Sequence, residues 1–75
     1  MAPLAGTTIL RRPEVERRTG LSRSTIYEKM KAGTFPTAIP LTSLSVGWSE
    51  FEIDAWIAER IAERDTGVQQ GVAHD

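Results

Sequence analysis

Between Thr19 and Gly33 the chain reads TGLSRSTIYEKMKAG. Ser22, Arg23, Ser24, Thr25, Tyr27, Lys29 and Lys31 thereby bring short hydroxyls, a phenol and three bases close together. These are donors for phosphate oxygens and base edges: a guanidinium matches guanine in bidentate fashion, and a small hydroxyl lets backbone approach a phosphate. Arg11, Arg12, Arg17 and Arg18 add positive charge just upstream. Catalytic chemistry finds no such support, because no nucleophile, base and orienting residue form a plausible constellation. There is no cysteine for a disulfide or thiolate site, and the single histidine, His74, lies near the C-terminal end. Glu50 and Asp54 resemble half of a metal or acid/base pair, but without His or Cys nearby they read as the solvated first turn of a helix. The residues point to binding, not to an enzyme, with no cofactor, metal or small-molecule substrate expected.

Three helices are expected to position them. Pro13 suits a first helical turn, where its missing N–H is no loss, and Glu14 and Glu16 sit near the positive end of the helix dipole. Arg17 and Arg18 then precede Gly20, a residue suited to the left-handed conformation that ends a helix, so the first helix covers about 13 to 19. Ser22 can accept from the amide of Ser24 or Thr25 as an N-cap, and Gly33 closes a second helix of about 23 to 32. Ile26 and Met30, four apart, fall on one face and with Leu21 and Val15 form a small core. Pro36 and Pro40 break helix, so short strands near 38 to 41 and 45 to 48, joined by TSL, are expected to make a hairpin with Pro40 turned away from its partner. Ser49 and Glu52 then stand in capping-box spacing, and Phe51, Ile53, Trp56, Ile57 and Ile61 give the third helix an apolar stripe. Trp48 and Trp56 are aromatic enough to stack on bases, but their positions read as core. The class is mainly α with a small β-hairpin: three helices plus a two-stranded wing, in the order of a winged helix-turn-helix.

The chain has 75 residues and a formal net charge of −1. That length allows one small domain: a loose arm over 1–8, the folded unit over 9–64, and a disordered tail over 65–75. No apolar run approaches the roughly 20 residues of a membrane span and no signal peptide is evident, so a cytoplasmic location is expected. Net charge conceals a polarity: seven bases stand against three acids from Met1 to Gly33, and two against seven from Thr34 to Asp75. A basic half supplies a field for phosphate while the acidic half need not face it. Two short helices could be a plain α-hairpin with Arg23 and Lys31 as solvated charges. The charge split, the Ser-capped helix and a following hairpin agree instead on a helix-turn-helix whose second helix enters a major groove.

The segments LRRPEVERRTGLSRSTIYEKMKAGTFPTAIPL and VGWSEFEIDAWIAER together resemble the AlpA family of phage-type transcriptional regulators, related to excisionases and MerR-like winged helix-turn-helix proteins. The likeness spans about Leu10 to Arg64 and rests on TGLSRSTIY, the FP after the second helix, and GW before an acidic EIDAW helix. It implies a regulator of transcription, or a factor assisting excision of a mobile element, that binds double-stranded DNA. It further implies that Ser22, Arg23, Ser24, Thr25 and Tyr27 face the duplex, with Pro36 and Trp48 in the packed wing; the ring of Tyr27 can pack beside Ile26 while its hydroxyl reaches a phosphate. Members of the family often carry a base between the wing strands, whereas this tip reads LTSLSVG. Thr42, Ser43 and Ser45 there can donate only uncharged hydrogen bonds. Two alternatives stand beside this reading: an excisionase-like architectural factor, and a protein-interaction module using the acidic helix 50 to 64. A homodimer or a cooperative assembly on repeated sites is compatible with any of them.

Overall fold

The computed structural model describes residues 8–66. Strand β1 (Ile9–Leu10) leads into helix α1 (Arg12–Thr19), helix α2 (Arg23–Ala32), the hairpin β2 (Ile39–Thr42) and β3 (Ser45–Ser49), and helix α3 (Glu50–Asp65). The helix limits follow from the expected caps. Gly20 and Gly33 adopt left-handed φ of 76° and 80°, where a side chain is strained, and their amides bond back to Glu16 and to Lys29 and Met30. Ser22 Oγ accepts from the Thr25 amide, the second of its two expected partners, and Ser49 Oγ accepts from Glu52. Arg11 stands at the N-cap of α1 with no side-chain cap bond; the helix begins instead with Pro13 in its first turn.

The wing differs from the two-stranded hairpin expected. It is a three-stranded antiparallel sheet of order β1-β3-β2, with Ile9 opposite Ser49 and Leu10 opposite Trp48. Two residues are too few to show alternation, so IL carries no strand signature of its own in the sequence. Placing β1 at one edge makes β3 central and leaves β2 as the other edge, the position where Pro40 can lack a donor without breaking a ladder. The register slips between Pro40 and Thr42, so Leu41 is the extra residue on the β2 side.

Leu10, Val15, Ile26, Phe35, Trp48 and Ile53 form the buried core, one from nearly every element, with Leu21, Met30, Ala38, Val46, Trp56 and Ile57 packed round it. Both tryptophans serve packing, and both indole N–H groups find backbone acceptors in the loop after α2: Trp48 Nε1 donates to Pro36 O at 3.1 Å and Trp56 Nε1 to Thr34 O at 2.8 Å. Phe35 is clamped between these anchors, edge-on to Trp56 at 4.9 Å. The stripe of α3 is wider than the core it covers: Ile53, Trp56 and Ile57 meet the core, while Phe51 is 60% exposed and Ile61 45%. The small core ends at the level of Ile57, so the last turns of α3 have nothing to cover. Asp65 and Thr66, expected in the tail, belong to the helix and its cap. The rest of the arm and tail, His74 included, lies outside the described residues. No helix among them is long and apolar enough to cross a membrane.

Candidate nucleic-acid interface

Helix α2 turns Ile26 fully inward, with Met30 beside it, so at 100° per residue Arg23, Tyr27 and Lys31 form one outward row with Ser24 next to it. All four are exposed, and neither Arg23 nor Lys31 takes part in an ion pair among the described residues. Tyr27 is the hinge of this face. Its ring packs edge-to-face with buried Trp48, centroids 6.3 Å apart, and the Arg23 guanidinium lies 5.8 Å from its centroid. The row of α2 is thus backed by β3, and the indole of Trp48 is in turn pinned to Pro36. A bare α-hairpin lacks that support.

Not every residue expected at the site joins this row. Thr25 is half-buried on a different flank, where its hydroxyl accepts from Ser22 at 3.0 Å. Lys29 lies beyond the buried stripe and lines a groove with Thr34, Phe35 and Trp56. The arginines of α1 are engaged within the molecule: Arg12 pairs with Glu16 at 2.9 Å, Arg17 with Glu14, and Arg18 with Glu14 at 2.8 Å. Arg18 also reaches Glu50 at 3.0 Å and Asp54 at 3.8 Å, so Glu50 ties α3 to α1 while Asp54 stays largely exposed beside the pair. Bonds from Arg17 first and Arg18 second hold the Glu14 carboxyl down at about 2, and Glu14 raises both guanidinium pKa values in return.

Arg11 has a different job, with Nε donating to Val46 O of β3 at 3.1 Å. Nothing in the run LRRP distinguishes that arginine from its neighbour; only the fold brings residues 11 and 46 together. At the wing tip Thr42 Oγ1 accepts from the Leu44 amide and shares a 2.9 Å hydrogen bond with Ser45 Oγ, so among the described residues Ser43 alone of the three hydroxyls has none. The most exposed large apolar side chain among the described residues, Leu44, projects from this tip.

Residues 8–61 match the model of the family described as prophage CP4-57 regulatory protein (AlpA). The chain belongs to the AlpA family. It is 50% identical over 58 residues to uncharacterized protein ORF88 of Enterobacteria phage P4, an alignment covering 77% of this chain and 66% of that protein. It is 43% identical over 58 residues to the DNA-binding transcriptional activator AlpA of Escherichia coli K12, covering 69% of this chain and 83% of that one. The AlpA-like segments noted in the sequence meet in space: TGLSRSTIY supplies the capped turn and most of the exposed row, FP the acceptor for Trp48 and the ring against Trp56, and GW the central strand behind Tyr27. In this AlpA-family chain the linked pattern is therefore one packing unit.

Proposed function

We propose that the protein is a DNA-binding transcription regulator of the phage or mobile-element type that presents α2 to a major groove of double-stranded DNA. The observation that carries this reading is the outward row Arg23, Tyr27, Lys31 with Ser24, uncommitted to internal ion pairs and braced from behind by Trp48. Arg23, in the first turn, is placed for a base edge, as expected for the N-terminal end of a recognition helix. Lys31, Lys29 and the free end of Arg11 contribute to phosphate binding, with the Ser22, Ser24 and Ser43 hydroxyls and the Tyr27 phenol as uncharged contacts. Arg12, Arg17 and Arg18 act mainly by holding α1 in shape, their carboxylate partners lowering their availability to phosphate. The named activity of the Escherichia coli relative agrees with this reading.

Selection of bound duplexes from a random pool tests it. A recovered motif with contacts over one major-groove segment is expected, and a direct or inverted repeat within it would mean more than one copy per site. Recovery of no motif, together with no gel shift at low salt, would sink the proposal in favour of a protein-interaction role for α3.

A further inference from the structure

The wing tip lacks charge, yet its hydrogen-bonded turn presents one apolar side chain in the open. Leu44 is 94% exposed, far above Leu41 at 40% or Ile9 at 39%. Its own amide is fixed to Thr42 Oγ1 at 3.1 Å, and the Thr42–Ser45 hydroxyl pair closes the turn beneath it. The irregular register at Leu41 lies just before the turn, a feature that re-aims the end of a hairpin. Behind the tip, β3 is anchored three times: by pairing with β1, by Arg11 Nε on Val46 O, and by the Trp48 indole on Pro36 O. A turn whose backbone is already fixed has little main-chain freedom left to lose when its apical side chain enters a partner.

The geometry points to Leu44 as an apolar wedge that enters between two base pairs of the bound duplex from the minor groove. This inference rests on the DNA-binding reading and goes beyond it, because it assigns the uncharged wing a deforming role instead of a phosphate contact. Leucine is among the side chains that separate base steps in this manner, opening a kink of roughly 20–90°. The occupant is duplex DNA and not a protein surface for a physical reason. A protein interface needs a broad patch of about 20–30 residues a side, whereas Leu44 stands at the apex among the hydroxyl residues Thr42, Ser43 and Ser45. Those neighbours suit the sugar and phosphate edges of a groove. Arg11, bonded to the neighbouring Val46 carbonyl, places a guanidinium on the same hairpin. The missing wing base and the exposed leucine are then two sides of one arrangement: recognition by unstacking draws on hydrophobic insertion, which needs no charge at the tip.

The test uses the full chain and a duplex recovered from the random pool, end-labelled for energy transfer and carrying 2-aminopurine at each step in turn. The wild-type protein is expected to raise 2-aminopurine emission at one step and to bend the duplex by at least about 20°. Leu44→Ala should abolish both signals and bind about tenfold more weakly with an unchanged salt slope, since unstacking and charge neutralisation are separate contributions. Leu44→Phe, another wedge, should keep both signals. Because the side chain is exposed, Leu44→Ala should melt at the wild-type temperature, which separates a lost wedge from a lost fold. Equal emission and bending for wild type and Leu44→Ala would overturn the inference while leaving DNA binding intact. A wild-type chain that shifts no duplex would instead defeat the DNA-binding reading itself. A sedimentation change in the free protein on Leu44→Ala, with DNA behaviour unaltered, would reassign the tip to contact between copies and overturn the wedge as well.

Discussion

Two arginines, one in the last turn of α1 and one in the first turn of α2, show how the same residue type is divided between reading and holding. Arg23 rests over the Tyr27 ring with no carboxylate partner among the described residues, whereas Arg18 is shared among Glu14, Glu50 and Asp54. Arg23→Ala should therefore cost about 1–3 kcal/mol of binding and relax preference at one base pair. Competition with duplexes substituted one position at a time measures this, and a uniform loss across them would demote Arg23 to a phosphate contact. Glu14 provides the complementary prediction. Its carboxyl is held at about 2 by hydrogen bonds from Arg17 and then Arg18, against an ordinary 4.5. Because the folded-state value is the lower one, its contribution to stability is fully present above about 4.5 and is lost as pH falls through about 2. The melting temperature of the wild type should fall across that window, and Glu14→Gln should remove this part of the dependence. An identical acid profile for the two proteins would show that the pair has no net effect on stability.

At the level of elements, the helices and the β2–β3 hairpin were legible and the third strand was not. Pro13, Gly20, Ser22, Gly33 and Ser49 act within a few residues of themselves, so the ends of α1, α2 and α3 follow from local chemistry. The third strand has no local signature: Ile9 and Leu10 become β1 only because β3 lies beside them, a pairing across about forty residues of chain. The same non-locality hid the Arg11–Val46 bond and the backing of Tyr27 by Trp48, while the row Arg23, Ser24, Tyr27 and Lys31 could be read from helical spacing alone. Gly47 records the hidden strand in its own type. A Cβ there would run into Ile9 Cγ2 from β1 and approach the Leu10 carbonyl oxygen at 3.0 Å and Leu41 Cδ1 from β2 at 3.1 Å. Gly47→Ala should destabilise the fold by about 1–3 kcal/mol, because the backbone oxygen cannot swing aside as a side-chain tip can. Since β3 also carries Trp48, DNA affinity should fall with it; thermal melts with no drop in midpoint would mean that β1 yields freely and does not pin the wing.

On the scale of the whole molecule, the two charge populations of the chain are joined by an ion-pair seam. The acidic start of α3 meets the end of α1 through Arg18, which consumes part of the basic half in joining the elements and leaves the outward bases of α2 to set the external field. Engagement of about four phosphates by one copy predicts a slope of roughly −3.6 for log affinity against log salt. Removing an unpaired base should flatten that slope and removing a paired one should not. Lys31→Ala is thus expected to reduce its magnitude by about 0.9, whereas Arg17→Ala, which deletes a guanidinium already matched to Glu14, should leave it near the wild-type value. Binding isotherms on one selected duplex at several salt concentrations decide the matter. Equal flattening by both substitutions would mean that Glu14 surrenders Arg17 to phosphate and that the first helix also lies against the DNA backbone. A wild-type slope near zero would remove electrostatics from the interface altogether, and with it the reason for concentrating the bases in the first half of the chain.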